Sequence, residues 1–156
     1  MRFEIACERH VKLIFAGMRE RDVSEIERGW GKSCIEAMHE ALEESFYART
    51  LFVGLEPLAI YGLAPLSMLA GQARIWIFGT RAIDRHPMAF CRASKLALTE
   101  LLCHCSVMTN IVDANDAQAL KWLRWLGGTL TDRTFPKAGY TFVQFVLSEE
   151  RSCLRA

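Results

Sequence analysis

The chain has 156 residues, of which 51% are hydrophobic, and a formal net charge of +1 from 19 Lys and Arg against 18 Asp and Glu. This length and apolar content suffice for one domain with one core. The balanced charge argues against a dedicated nucleic-acid binder, because phosphate contacts need a basic patch. We therefore expect one domain over residues 1–148 and a short C-terminal tail at residues 149–156.

The N-terminal and cysteine patterns bear on cellular location. The charged N-terminus lacks the apolar core of a signal peptide, and the uncharged run at residues 57–73 is interrupted by glycine and proline. That run is also shorter than the ~20 apolar residues that cross a bilayer. The six cysteines are Cys7, Cys34, Cys91, Cys103, Cys105 and Cys153. Their spacing matches no disulfide framework, so we expect reduced thiols in a cytoplasmic protein that does not enter a membrane.

Two short motifs suggest ligand sites but have the wrong context. In Cys103-His104-Cys105 the two thiols are two positions apart, which points them in different directions on a helix, and no fourth ligand is evident. We therefore predict no metal site. Gly31-Lys32-Ser33 resembles the end of a phosphate-binding loop, but that motif needs a glycine where this chain has Ile26.

The first half of the chain predicts strands around two helices. Residues 11–15, VKLIF, favour a first strand, with residues 2–6 as an additional strand before it. Asp22 and Glu25 have the spacing of a capping box and predict the start of a first helix. Ser33 predicts the cap of a second helix that continues to about residue 47.

A hairpin and a central strand follow. Residues 50–55 and 58–64 are predicted strands joined by a turn at Glu56-Pro57. After a turn at Gly71, residues 73–78, ARIWIF, have the bulky composition of a central strand.

The last part predicts two helices and three strands. Residues 80–86 form a loop, and Pro87 suits the first position of a long helix. A strand at residues 107–112 leads to Asp116, the expected N-cap of a helix that Gly127 ends. Strands at residues 129–133 and 140–147 complete the order.

This order, together with the segment DANDAQALKWLRWLGGTL, resembles the GCN5-related N-acetyltransferases, the GNAT family. The resemblance implies an α/β (α+β) fold: a single GNAT-like domain with a mixed, mostly antiparallel, twisted sheet of six to seven strands and about four helices. The segments LFVGLEPLAIYG and RIWIFGT look most like the acetyltransferase-like proteins of podoviruses. This narrower resemblance implies a bacteriophage source, with the protein in the host cytoplasm or in the virion.

The resemblance also implies acetyl-CoA as cofactor. In the family, acetyl-CoA lies between two parallel strands, here residues 73–78 and 107–112, and its pyrophosphate binds a glycine-rich loop before the long helix. The expected cofactor contacts in this chain are Phe78, Gly79, Thr80, Arg81, Arg85, His86 and Asn115. There is no glycine between Gly79 and Gly127, so the arginines and the histidine would replace the loop amides by charge. The arginines are otherwise plain surface residues, and Asn115 is otherwise part of a helix cap.

The family's catalytic groups are missing from the expected positions. The predicted central strand has no carboxylate to act as a base, and the tyrosine that protonates the leaving thiolate corresponds to Leu123. The catalytic residues are therefore unknown at this stage. Side chains that can fall on the acceptor side are Trp30, His39, Tyr61 and Tyr140.

Two hypotheses follow. The first is an acetyl-CoA-dependent N-acetyltransferase with a degenerate pyrophosphate loop and weak or specialised activity towards an amine on a small molecule or a protein. The second is an inactive GNAT-fold protein that binds and modulates a host enzyme or a virion protein.

Overall fold

The computed structural model describes residues 1–149, and within them five α-helices, one 3-10 helix and seven strands follow one another. Their bounds in chain order are β1 Arg2–Ile5, α1 Glu8–Gly17, α2 Glu20–Trp30, α3 Cys34–Glu43, β2 Tyr47–Val53, β3 Glu56–Ser67, β4 Gln72–Gly79, the 3-10 helix Arg81–Asp84, α4 Pro87–Leu102, β5 Val107–Asp113, α5 Ala117–Trp125, β6 Thr129–Lys137 and β7 Tyr140–Ser148.

The seven strands form one mixed sheet in the order β1-β2-β3-β4-β5-β7-β6. The pairs β1/β2, β2/β3, β5/β7 and β6/β7 are antiparallel. Strands β4 and β5 are parallel, with Gln72 opposite Val107 and Arg74 opposite Thr109. The predicted α/β class and the mostly antiparallel mixed sheet with a parallel β4/β5 pair are confirmed, and the seven strands lie within the predicted six to seven.

Backbone contacts separate two compact units, which are described one at a time. The first consists of Met1–Ala64 and Ile75–Ser94. The second consists of Pro65–Arg74 and the described part of Lys95–Ala156. The predicted C-terminal tail lies outside the described residues except for Glu149.

In the first unit, helices α1 to α3 pack on side chains of β3 and β4. Ile60, Trp76 and Phe78 supply the strand side of this cluster. The buried side chains on the helical side of this cluster are those of Val11, Ile14, Met18, Cys34, Met38 and Ala41. A second cluster joins Leu51 and Leu58 to Ala82 and Ala93, beside the 3-10 helix and the start of α4. The strands of this unit are therefore covered by helical side chains from two groups of elements.

In the second unit, the buried side chains come from the strands, from α5 and from the second half of α4, where Leu101 is 2% exposed. The N-cap Asp116 accepts a hydrogen bond from the amide of Ala119 at 3.0 Å, as predicted. Leu123, on the buried side of α5, is 4% exposed. Gly127, with φ 96°, follows the helix in the left-handed region, also as predicted.

The first predicted strand is wrong. Residues 11–15 lie within helix α1, and only the additional strand at residues 2–6 is present, as β1. Val11, Ile14 and Met18 are buried, while Leu13 and Phe15 are 43% and 37% exposed. The buried residues thus recur at helical spacing. The sequence did not reveal this, because the short apolar run VKLIF is compatible with both the helical period of about 3.6 and the strand period of about 2.

Several boundaries also differ. Helix α2 begins at Glu20 after the N-cap Arg19, without a side-chain cap, so the Asp22–Glu25 capping box is wrong. The Ser33 cap is confirmed, because Ser33 and Glu36 form a complete capping box, but α3 ends at Glu43. The hairpin turns at residues 54–55, where Gly54 has φ 59°, because Glu56 already belongs to β3. The predicted loop at residues 80–86 contains a 3-10 helix, and the described residues form five α-helices where about four were expected.

Within residues 1–149, no helix is both long enough and apolar enough to cross a bilayer. The five cysteines in that range are free thiols, and Cys34 and Cys105 are buried. Cys153 lies outside the described residues.

Candidate cofactor site

Six of the seven predicted cofactor residues lie on one continuous stretch of the first unit, from the end of β4 to the start of α4. Phe78 is buried and packs against Trp76, with ring centroids 5.6 Å apart. Gly79 lies so close to the 3-10 helix that an added Cβ would be 2.7 Å from Cδ1 of Ile83. Both residues thus pack within the protein, and the glycine permits the close approach of the loop.

Thr80 fastens this loop to the start of β3. Its hydroxyl donates to the carbonyl of Pro57 at 2.8 Å and accepts from the amide of Ala82 at 3.2 Å. Its own amide donates to the carbonyl of Leu58 at 2.8 Å. The side chain is 2% exposed, so its hydrogen-bonding groups are satisfied inside the protein.

The loop amides also have partners within the loop. The amide of Ile83 donates to the carbonyl of Thr80, and the amides of Arg85 and His86 donate to the carbonyl of Ala82. A GNAT-type pyrophosphate loop presents such amides to the ligand. Here the amides of Ile83, Arg85 and His86 are instead bound to backbone carbonyls of the loop itself.

Two arginines hold the loop against the junction of α1 and α2. Arg81 donates to the carbonyls of Gly17 and Met18, both at 3.3 Å, at the C-terminal end of α1. In the opposite direction, Arg19 donates through Nε to Asp84 at 3.2 Å and also contacts it through Nη2. The hydrogen bond from Arg19 lowers the pKa of Asp84. These contacts orient the loop from both sides, and they give Arg81 the role of satisfying helix-end carbonyls.

Arg85 and His86 converge on one carboxylate. Arg85 donates through Nη2 to Oε1 of Glu56 at 2.6 Å, and Nε2 of His86 lies 2.8 Å from Oε2. The hydrogen bond from His86, followed by that from Arg85, lowers the pKa of Glu56. Because an ionised carboxylate only accepts hydrogen bonds, Nε2 of His86 carries the hydrogen. Each oxygen of Glu56 thus has its own donor.

This donor set fits the phosphates of an acyl-CoA through side chains rather than through backbone amides. Arg85 and His86 together bind two oxygens of one anionic group, which is the arrangement a phosphate needs. The predicted replacement of glycine amides by side-chain donors is therefore chemically consistent with Arg85 and His86. Arg81 is instead occupied with the end of α1.

Asn115 belongs to the second unit. Its side chain is exposed, its amide donates to Oδ1 of Asp113 at 2.8 Å, and its carbonyl accepts from the amide of Ala117. These contacts form the turn that leads into α5, next to the Asp116 cap.

The four predicted acceptor-side residues have different environments. Trp30, at the end of α2, is 44% exposed, and His39 is half-buried on α3. Tyr61 on β3 is 5% exposed and meets the edge of Phe3 at 6.4 Å. Tyr140, the first residue of β7, is half-buried in the second unit.

His10 is a buried titratable residue that the sequence reasoning missed. It is 3% exposed on α1, and its Nδ1 lies 3.0 Å from the hydroxyl of Thr50. Its Nε2 lies 3.4 Å from Glu4, and its ring meets Phe52 edge-on at 5.3 Å. Burial lowers the pKa of His10. The helical spacing of His10, Ile14 and Met18 was the available signal, but the predicted strand at residues 11–15 obscured it.

Comparison with known proteins identifies the fold. No family model and no curated protein matches the sequence. Among solved structures, the chain is similar to spermidine N-acetyltransferase from Vibrio cholerae in complex with CoA and spermine, at 10% identity and a TM-score of 0.71, with 97% of each chain covered. It is also similar to ribosomal-protein-alanine N-acetyltransferase from Brucella melitensis, at 13% identity and a TM-score of 0.64, covering 96% of this chain and 100% of that one.

A ribosomal-protein α-N-acetyltransferase in complex with coenzyme A also matches, at 9% identity and a TM-score of 0.68, covering 96% of this chain and 94% of that chain. The chain has the GNAT fold. At these identities the likeness defines the fold, and function must be argued from the site itself.

The two places where the sequence resemblance led us to expect catalytic groups hold no acid or base in this chain. Strand β4 reads QARIWIFG, without a carboxylate, and Leu123 in α5 is buried. Within residues 1–149, no group of three or more His, Cys, Asp or Glu residues is arranged to hold a metal ion. The loop before α4 thus carries two side chains that hold a carboxylate, while the two positions expected to hold an acid and a base carry neither.

Proposed function

We propose that the chain is an acyl-CoA-dependent N-acyltransferase, with acetyl-CoA as its acyl donor and an amine on a small molecule or a protein as acceptor. The observation that supports this most directly is the convergence of Arg85 and His86 on one carboxylate, beside the loop that precedes α4. In a GNAT fold, this loop is the segment that meets the pyrophosphate.

The proposed division of labour follows from the contacts. Arg85 and His86 would hold the phosphates, and Thr80 would keep their loop fixed through its bonds to the start of β3. Phe78, Gly79 and Arg81 stay in the proposed site as packing or orienting groups, and Asn115, in the second unit, stays a separate prediction. Bound acetyl-CoA would supply an activated acyl group. In the absence of an evident base, transfer would depend on holding an already neutral amine close to it.

Calorimetric titration tests the proposal. Wild-type protein should bind acetyl-CoA and the nonreactive desulfo-CoA saturably, since both carry the same phosphates. Arg85→Ala should weaken both by about fivefold to tenfold, the scale of one partly exposed charged contact. Arg92→Ala is the matched control, because Arg92 is exposed on α4 just beyond the loop. Equal affinity of the two variants, or no binding by wild type at millimolar ligand, would contradict the proposed site.

An alternative function is an inactive GNAT-fold protein that binds a host enzyme or a virion protein. The absence of a carboxylate from β4 and the buried Leu123 favour it, because neither position offers the base or the acid that the family resemblance implies. Trp125, in the second unit, is 44% exposed and also suits a contact with the surface of another protein. A bacteriophage source and a host-cytoplasm or virion location belong to this alternative and rest on the sequence resemblance. Turnover of a defined amine with acetyl-CoA would exclude it.

A further inference from the structure

The Arg85–His86 pair already has an anionic ligand, which the protein itself supplies. Glu56 is the first residue of β3, and its two carboxylate oxygens meet Arg85 and His86 at 2.6 and 2.8 Å. Glu56 precedes Arg85 by 29 positions and His86 by 30, so this is a tertiary contact rather than a local one.

The backbone on both sides of this contact is fixed. Thr80 binds the carbonyl of Pro57 through its hydroxyl and the carbonyl of Leu58 through its amide. The start of β3 and the loop are therefore tied together immediately beside Glu56. Only a rotation of the Glu56 side chain is then needed to open the site.

The side chains themselves are accessible to solvent. The side chain of Glu56 is 44% exposed, that of Arg85 54% and that of His86 33%. An ion pair with this exposure contributes little free energy, because solvent screens it. A phosphate with more oxygens and more charge can therefore displace the carboxylate.

We propose that Glu56 is an internal ligand of the Arg85–His86 site and competes there with a phosphate group of the incoming acyl-CoA. This inference rests on the proposed function and adds a residue that regulates affinity at the same site. Glu56 occupies the place of a phosphate when no cofactor is bound, and it lowers the affinity for every phosphate ligand to a similar extent.

The test compares CoA and inorganic pyrophosphate binding by calorimetry in wild type, Glu56→Gln, Arg85→Gln and the double variant. Glutamine retains the size of Glu56 and removes the charge. Glu56→Gln should bind both ligands about fivefold more tightly, the scale of one exposed ion pair. The gain should shrink as salt is raised. It should also be smaller in the double variant measured against Arg85→Gln, because Glu56 then occupies only His86.

Glu43→Gln is the charge-matched control. Glu43 is exposed at the end of α3, and its substitution alters the net charge by the same amount. If Glu43→Gln tightens binding as much as Glu56→Gln, the gain comes from overall charge and the proposed competition is refuted. Thermal unfolding of every variant verifies that the affinities are those of folded protein.

The remaining outcomes separate this inference from the proposed function. Equal CoA affinity in wild type and Glu56→Gln would overturn the competition by Glu56 and leave acyl-CoA binding intact. Tighter pyrophosphate binding by Glu56→Gln without any CoA binding would support the internal ligand and overturn the proposed cofactor. The absence of binding of either ligand to any variant would overturn both.

Discussion

Gly62 on β3 occupies a position where one additional methyl group cannot be accommodated. An added Cβ would lie 2.6 Å from Cζ2 of Trp76, 2.9 Å from Cε2 of the same ring and 2.6 Å from the carbonyl oxygen of Tyr47. The ring cannot withdraw freely, because its Nε1 donates to Ser45 at 2.7 Å and Ser45 donates to the carbonyl of Ala41. Gly62→Ala must therefore move a strand backbone, displace a buried indole, or both.

The expected cost follows from these contacts. Overpacking of this kind costs about 1–3 kcal/mol, and loss of the Trp76–Ser45 hydrogen bond adds about 1 kcal/mol. Replacing glycine also restricts the unfolded chain, which stabilises the folded protein by roughly 0.5–1 kcal/mol. This gain is smaller than the cost of overpacking. We expect a net loss of about 2–3 kcal/mol in the free energy of unfolding. In a chain of this size that corresponds to a fall in Tm of roughly 5–10 °C.

Denaturant unfolding of Gly62→Ala, with and without Trp76→Phe, measures this cost. The phenyl ring is smaller than the indole, so the penalty of Gly62→Ala should be reduced in the Trp76→Phe background. It should not vanish, because the carbonyl of Tyr47 remains in place. A loss below about 0.5 kcal/mol in the wild-type background, or an identical loss in both backgrounds, would refute this account of the packing.

Three further predictions concern buried polar and thiol groups. Burial lowers the pKa of His10 below its ordinary 6.5, so the unfolded chain binds the proton first as the pH falls. The free energy of unfolding should therefore decrease below about pH 6.5. Thermal melts of His10→Gln should show a weaker dependence on pH. Burial raises the pKa of the Cys34 thiol to about 11. In native protein, mass spectrometry should therefore detect alkylation by iodoacetamide at the exposed Cys103 well before Cys34. Equal rates of alkylation at the two thiols would contradict the burial of Cys34. Thr80→Val removes two buried hydrogen bonds at constant shape and should cost about 1–3 kcal/mol by urea unfolding; an unchanged midpoint would show that the hydroxyl does not fasten the loop.

The candidate site was only partly readable from the sequence. The loss of glycine after Gly79 and the presence of Arg85 and His86 are visible in the chain itself. Glu56 was not, because it was predicted to lie in a turn and its contact with the loop depends on how β3 lies beside the end of β4. The different environments of Arg81 and Arg85 were equally hidden. The two residues are four positions apart in a short polar segment, and only the packing of α1 distinguishes them.

The sequence by itself determined the order of strands and α-helices from α2 onwards and the caps of α3 and α5. Those features depend on periodicity and on short-range contacts, which neighbouring residues encode directly. The tertiary structure decided that residues 11–15 are helical and that His10 is buried against Thr50. A short apolar run fits either a helix or a strand, and the choice depends on what covers it. The tertiary structure also decided the pairing of Glu56 with Arg85 and His86, because charged side chains have no preferred partner until the fold brings them together.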